Sequence, residues 1–295
     1  MASLSLKEKI AIIKQTINFL MIKHKPSRMR LLKLQPSNSN IPLFVYLPGM
    51  DGTGQLFGKQ AQQLSEFFRI RCLSIPQNDC SDWNTLVNQT ITLIKKELQE
   101  HISSCPIYLC GESFGGCLAI KIAVNFPELI DKIILVNPAS SFSQYPWLSM
   151  GVQLTKWMPD FLHRTSTLGF LPFLASLARM ERKDYRALLK AMQSVPQSVV
   201  SWRLSLLRDF QVTEKQLRQL TQPILTLASD SDRLLPSVTE GKRLVNCFPN
   251  GNLAILPDSG HACLLETEVN LAELLGQHNF LPTNSNNSVY SSSAA

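Results

Sequence analysis

Three observations predict an α/β protein built on a mostly parallel sheet with helices on both faces. Short, near-continuous apolar runs recur from about Asn40; stretches of helical periodicity separate them; and the alternation lapses over residues 141–215 before resuming. Strands that read as unbroken apolar runs are buried on both sides, which parallel sheets achieve by covering each face with crossover helices. With 295 residues, 44% of them hydrophobic, the chain can bury a full core. Its 17% charged residues exclude wholesale disorder. No apolar run approaches the roughly 18 residues that span a bilayer, so no transmembrane helix is expected.

The elements follow in chain order. Residues 1–33 carry eight Lys or Arg against the single acid Glu8, which accounts for the whole net charge of +7; the 21 basic and 21 acidic residues that remain cancel. Within this arm Ile10, Ile13, Ile17 and Leu20 fall at helical spacing among lysines. Such a basic amphipathic stretch suits an anionic membrane interface, a helix packed on the protein with a solvated lysine face, or an organelle-targeting segment. Because the basic excess is confined to the arm, no nucleic-acid-binding face is expected on the globular body.

Pro42–Leu47 reads as a strand ending in the loop Pro48-Gly49-Met50-Asp51-Gly52-Thr53-Gly54, and Ile70–Ile75 as a second strand. Trp83–Glu100 is an amphipathic helix with Leu86, Ile91, Ile94 and Leu98 near its inner face. Ile107–Cys110 is a strand, followed by Gly111-Glu112-Ser113-Phe114-Gly115-Gly116 and a helix to about Asn125; Ile133–Val136 is another strand. Residues 141–215 show helical periodicity and hold Trp147, Trp157 and Trp202 along with Phe142, Tyr145, Phe161, Phe170 and Phe173, which marks a helical cap inserted between two strands of one sheet. The alternation resumes with Ile224–Ala228, the helix Val238–Cys247, the strand Leu253–Leu256 and a helix predicted over His261–Leu275. The expected organisation is thus an arm (1–33), a core (40–140 and 216–276), a cap (141–215) and a Ser/Asn-rich disordered tail (283–295). The seven cysteines are odd in number, lie partly in apolar runs and form no C-x-x-C pair, which points to buried free thiols rather than disulfides or a zinc site.

Gly111-Glu112-Ser113-Phe114-Gly115 is a G-x-S-x-G sequence between a strand and a helix, the setting of a nucleophile elbow. A serine needs a base to take its proton. Of the five histidines only His261 follows a strand and a short loop, Pro257-Asp258-Ser259-Gly260, at the expected carboxyl edge of the sheet. The base in turn needs an acid to fix its tautomer. Asp230 and Asp232 both follow the strand Ile224–Ala228; Asp232 is favoured because it lies deeper in the loop, with Pro236 turning the chain into the next helix. The order Ser–Asp–His is that of α/β hydrolases. Oxyanion donors are expected from the backbone N–H groups of Phe114 and Met50. The Gly-rich loop at Gly49–Gly54 lacks the phosphate-binding patterns of nucleotide sites.

With these motifs in place the chain resembles an α/β hydrolase over residues 40–276. LPGMDGTG, GESFGG, ASDSDRLLPS and PDSGHACLLE are similar to the hydrolase half of the esterase/lipase/thioesterase family that includes plastid phytyl ester synthases and related diacylglycerol acyltransferase-like proteins. The resemblance implies the α/β-hydrolase fold, with Ser113, Asp232 and His261 at the family's nucleophile, acid and base positions. It also implies action on fatty acyl esters or thioesters, some members passing the acyl group to phytol or diacylglycerol. The longer members carry a second domain with an H-x-x-x-x-D motif. None of the five histidines here has aspartate five residues on; His261 has Glu266 there, so hydrolysis is expected ahead of acyl transfer. The usual His-Gly before the oxyanion loop is Pro48-Gly49.

The expected function is therefore a serine hydrolase acting on apolar acyl esters or thioesters, needing no metal or organic cofactor, with the aromatic-rich cap forming an acyl pocket. Alternatives are an acyltransferase using an alcohol such as phytol or diacylglycerol, a non-catalytic binding protein on a hydrolase scaffold, and a C–C bond hydrolase or haloperoxidase on the same fold. The expected location is cytoplasmic, peripheral on a membrane where residues 1–33 meet an anionic surface, or plastid where they serve as a targeting segment.

Overall fold

The computed structural model describes residues 28–36, 41–100, 105–145 and 173–282. Seven strands form one sheet: β1 (Arg30–Leu32), β2 (Leu43–Leu47), β3 (Arg69–Ser74), β4 (Ile107–Glu112), β5 (Lys132–Val136), β6 (Ile224–Ser229) and β7 (Gly251–Leu256), in the spatial order β1-β3-β2-β4-β5-β6-β7. β2 to β7 run parallel and β1 lies antiparallel on β3. The parallel core follows from the sequence pattern. Leu43, Val45 and Leu47 enter one apolar layer while Phe44 and Tyr46 enter the other, and Ile133 and Leu135 divide from Ile134 and Val136 in the same way. Alternate side chains of every inner strand need an apolar cover, so both faces carry helices.

One face is covered by α2 (Trp83–Gln99), α3 (Phe114–Asn125) and α7 (Ser237–Cys247), the other by α1 (Gly58–Leu64) and α8 (Leu271–Gln277). α2 begins where the Asp82 side chain accepts from Thr85 N at 2.8 Å, and it buries Leu86, Val87, Ile91 and Ile94. Between β5 and β6 the described chain holds α4 (Arg182–Ser194), α5 (Gln197–Arg208) and α6 (Glu214–Leu217). Trp147, Trp157, Phe161 and Phe170 of the expected cap, most of the basic arm and the Ser/Asn-rich tail lie outside the described residues. No described helix is long and apolar enough to cross a membrane. All described cysteines are free thiols, with Cys72, Cys110, Cys117, Cys247 and Cys263 buried.

Two elements depart from the sequence expectation. Arg30–Leu32, at the end of the basic arm, joins the sheet as β1, and Met29 enters the core. The helix expected over His261–Leu275 is not continuous. A single 3-10 turn, Cys263–Leu265, precedes an isolated bridge between Glu266 and Met180, and α8 starts only where Asn270 caps Ala272 N and Glu273 N. The chain leaves β2 toward β3 on one side and leaves β4 toward β5 on the other, so the sheet's connections diverge between β2 and β4. In α/β sheets that switch point opens a crevice at the carboxyl ends of the strands.

Candidate functional site

Ser113 lies at this crevice, between β4 and α3, with φ 52° and ψ −111°. A residue with a side chain holds a positive φ only where its surroundings force it. The force here is close packing of backbone. A Cβ on Gly115 would sit 2.1 Å from Leu47 O, and one on Gly111 would sit 2.3 Å from Gly115 O. The turn is then locked by hydrogen bonds: Ser113 N donates to Val136 O at 2.9 Å, and Ser113 O accepts from Gly116 N at 3.0 Å and Ala139 N at 3.1 Å.

His261 Nε2 stands 2.8 Å from Ser113 Oγ, and His261 Nδ1 stands 2.7 Å from Asp232 Oδ2. Asp232 Oδ1 accepts from Leu234 N at 2.8 Å and Leu235 N at 3.0 Å, and its Oδ2 also accepts from the Ser237 hydroxyl. Burial pushes the Asp232 carboxyl up, but His261 and these donors outweigh it and hold Asp232 below the usual carboxylate range. Burial pushes His261 down, but the charge and hydrogen bond of Asp232, with Glu112 adding to them, leave it above the ordinary imidazole value. A carboxylate on Nδ1 favours the tautomer whose Nε2 accepts a proton from serine. Asp230 is exposed, and its side chain accepts from the Ser231 hydroxyl at 3.1 Å.

The loop carrying His261 is irregular, so its shape rests on side chains. Glu266 is fully buried and turns back into the loop, where it accepts from Gly260 N at 2.7 Å, Ser259 Oγ at 2.9 Å and Arg179 Nε at 2.8 Å. Asn137 supports the other side. Its Nδ2 donates to His261 O at 2.8 Å and Ser229 Oγ at 2.9 Å, while its Oδ1 accepts from Ser229 N at 2.8 Å. One buried amide thereby ties the ends of β5 and β6 to the histidine.

Met50 lines the same cavity as Ser113, and Phe114 follows Ser113 in the chain. As the first residue of α3, Phe114 has no intrahelical acceptor for its N–H. Its ring stacks on Trp83 with centroids 4.8 Å apart, and Trp83 Nε1 donates to Leu206 O at 2.9 Å. Met50 lies in the loop after β2, which turns at Gly52 with φ 68° and a Gly52 N to Gly49 O bond of 3.0 Å. Arg203, buried on α5, reaches into this loop and donates to Met50 O at 2.6 Å and Pro76 O at 3.3 Å.

Above Ser113 opens a cavity of about 260 Å³ whose wall is mostly aliphatic, with Leu56, Leu188, Met192, Val195 and Leu204 among its lining residues. Its polar residues include Ser113, His261, Asp51 and Glu112. The volume is near the lower end for small-molecule sites, about 300 Å³. Among the described residues no cluster of His, Cys, Asp and Glu is arranged to hold a metal ion.

A family model described as serine aminopeptidase, S33, matches residues 75–268. The chain belongs to this α/β-hydrolase family. The hydrolase is 31% identical over 257 residues to phytyl ester synthase 1, chloroplastic, of Arabidopsis thaliana, a match that covers 79% of this chain and 36% of the synthase. It therefore spans little more than a third of that relative. It is 25% identical over 240 residues to the pimeloyl-[acyl-carrier protein] methyl ester esterase of Nitrosomonas europaea, covering 78% of this chain and 92% of the esterase. An esterase from Exiguobacterium antarcticum superposes with a TM-score of 0.65 at 18% identity, covering 85% of this chain and 94% of that one, a likeness of fold.

The structure brings Ser113, Asp232 and His261 of the hydrolase together, with Met50 lining the same cavity as Ser113 and Phe114 opening the helix behind it. Sequence reasoning did not reach Asn137, Arg203, Asp51 or a role for Glu112. It noticed Glu266 only as a near miss to another motif. One signal was available. A glutamate amid the apolar residues of PDSGHACLLE is a candidate buried acceptor, because a buried carboxylate is found paired.

Proposed function

We propose that this hydrolase cleaves apolar acyl esters or thioesters through an acyl-enzyme on Ser113. The observation that carries the reading is the aliphatic cavity opening on the Ser113 hydroxyl, with His261 in hydrogen-bond contact. Ser113 Oγ attacks the acyl carbonyl carbon while its proton passes to His261 Nε2, and Asp232 stabilises the imidazolium. The backbone N–H groups of Met50 and Phe114 receive the negative oxygen of the tetrahedral intermediate. Collapse breaks the C–O or C–S bond, and the leaving alcohol or thiol takes the proton from His261. Water, deprotonated by His261, then attacks the acyl-enzyme and releases the carboxylic acid. The ester-directed names of the relatives support this substrate class.

A second reading replaces water by an alcohol at the deacylation step. The 31% identity to a phytyl ester synthase favours it, and the same apolar cavity admits the acceptor. The basic stretch 1–33 suits an anionic membrane surface, and the chloroplastic relative lends weight to a plastid location.

The test is intact-mass analysis after treatment with a neutral fluorophosphonate, on wild type and Ser113→Ala. A single adduct on wild type and none on the variant is expected. A panel of aryl esters of increasing acyl length and acyl thioesters, with and without phytol, then reads substrate and acceptor; activity rising with acyl length and free acid as product is expected, and a phytol ester as main product establishes transfer. A well-folded wild type that takes no adduct, with detergent present, overturns the reading in favour of a binding protein.

A further inference from the structure

A second acid besides Asp232 borders the cavity that His261 lines. Glu112 directly precedes the nucleophile, and the alternation of β4 puts it on the same face as Tyr108 and Cys110. Glu112 Oε2 accepts a short hydrogen bond from the Tyr46 hydroxyl. The tyrosine is held in place: it sits in register with Cys110 on the neighbouring strand, and its ring stacks on Phe57 with centroids 4.1 Å apart. The Glu112 carboxyl is thus held from the middle of the sheet. It borders the same cavity as Ser113 and His261.

The ionisable groups that act on Glu112 are Tyr46 on β2, Asp51 in the loop after β2, Cys110 on β4, and His261 and Cys263 in the loop after β7. Burial holds Tyr46, Cys110 and Cys263 well above their ordinary values, so they stay neutral through the physiological range. Asp51 is also raised, because burial outweighs its bonds to Thr53 and the nearby Arg203. Burial pushes Glu112 up to about 7; the Tyr46 bond and His261 oppose this, and Asp51 adds to it. Glu112 therefore changes charge in the range where His261 must be free to take a proton.

We propose that Glu112 is a positioning residue that acts through His261, its carboxylate stabilising the imidazolium that forms when Ser113 gives up its proton. This rests on the serine-hydrolase reading. The geometry gives the direction of the effect. Glu112 shares a face with the His261 loop, and negative charge there favours positive charge on the ring. The oxyanion is assigned to the N–H donors of Met50 and Phe114, so the two charges of the transition state have separate partners. Two interacting sites titrate as a pair, and the acid limb of the reaction then reports two ionisations instead of one.

The rate of Ser113 labelling by a neutral fluorophosphonate, followed from pH 5 to pH 9, tests this in wild type, Glu112→Gln and Tyr46→Phe. Glu112→Gln is expected to reduce the acid limb to one ionisation and move its midpoint down by about 0.5–1 pH unit, since an opposite charge near His261 is gone. Tyr46→Phe is expected to keep both ionisations and to move the Glu112 one up, because it removes a donor that favours the ionised carboxylate. Labelling lowered by one factor at every pH, with unmoved midpoints, would make Glu112 merely structural and overturns the proposal. Should Glu112→Gln fail to fold, the direction of the Tyr46→Phe shift decides. Wild type that labels at no pH overturns the serine-hydrolase reading instead. NMR titration of the His261 ring in wild type and Glu112→Gln then decides the coupling, and an unchanged midpoint refutes it.

Discussion

Two turns meet at Ser113, and different physics holds each. The Ser113 turn is shaped by what is missing: at Gly111 and Gly115 any Cβ would strike backbone. The His261 turn is shaped by what has been added. The side chains of Glu266 and Asn137 supply the hydrogen bonds that regular structure does not. Backbone contacts cannot yield, so the first turn is rigid by exclusion. Side-chain bonds can be exchanged, so the second is rigid only while its acceptors are present. The difference teaches that one site geometry can rest on steric necessity at one end and on buried polar pairing at the other.

The largest expected effect breaks the first turn. Gly115→Ala places a methyl 2.1 Å from Leu47 O, where no flexible group can give way. We expect more than about 3 kcal/mol of destabilisation and, in any folded fraction, labelling slowed by about 100-fold or more as the nucleophile shifts; urea unfolding and fluorophosphonate kinetics read both. A near-wild-type Gly115→Ala would mean that the turn is not held by exclusion.

A smaller effect is expected at the second turn. Glu266→Gln keeps one acceptor oxygen but loses the charge facing Arg179 and one of the bonds to Gly260 N and Ser259. The expected loss is about 2–3 kcal/mol of stability, with a lower kcat and little change in KM, because His261 loses its placement while the apolar cavity remains. A variant that changed KM alone would separate Glu266 from the histidine loop.

The smallest effect sharpens the contrast. Ser113→Ala and Ser113→Gly both remove the hydroxyl, but only glycine is at ease with φ 52°. Ser113→Gly should therefore be the more stable of the two by about 1–2 kcal/mol, measured as the difference in unfolding midpoint. Equal midpoints would show that the turn carries no strain.

The same contrast explains what could be read from the sequence. The inner strands were legible because burial on both faces writes continuous apolar runs, as in Leu43–Leu47 and Ile224–Ser229. The elbow was legible because exclusion demands glycine, and glycine is visible. Asp232 could be ranked above Asp230 from its depth in the loop, and it is the one that contacts His261. The helix expected from His261 onward was wrong because the apolar residues of Ala262–Leu265 suit a buried loop as well as a helix. Only the inward turn of Glu266 decides between them, and its partner Arg179 is distant in sequence. β1 is three residues long, too short for a period to be read. Asn137 and Arg203 act on residues more than 90 positions away, and nothing local to them announces a partner.

Arg203 belongs to the helices that wall the cavity, but its hydrogen bonds end on Met50 O in the loop after β2 and on Pro76 O after β3. The covering helices are therefore not an interchangeable module. Replacing them to admit a different chain would also withdraw the brace behind the Met50 loop, so any graft must bring its own donor for the Met50 carbonyl. In such an architecture a change of substrate and a change of reactivity are inherited together.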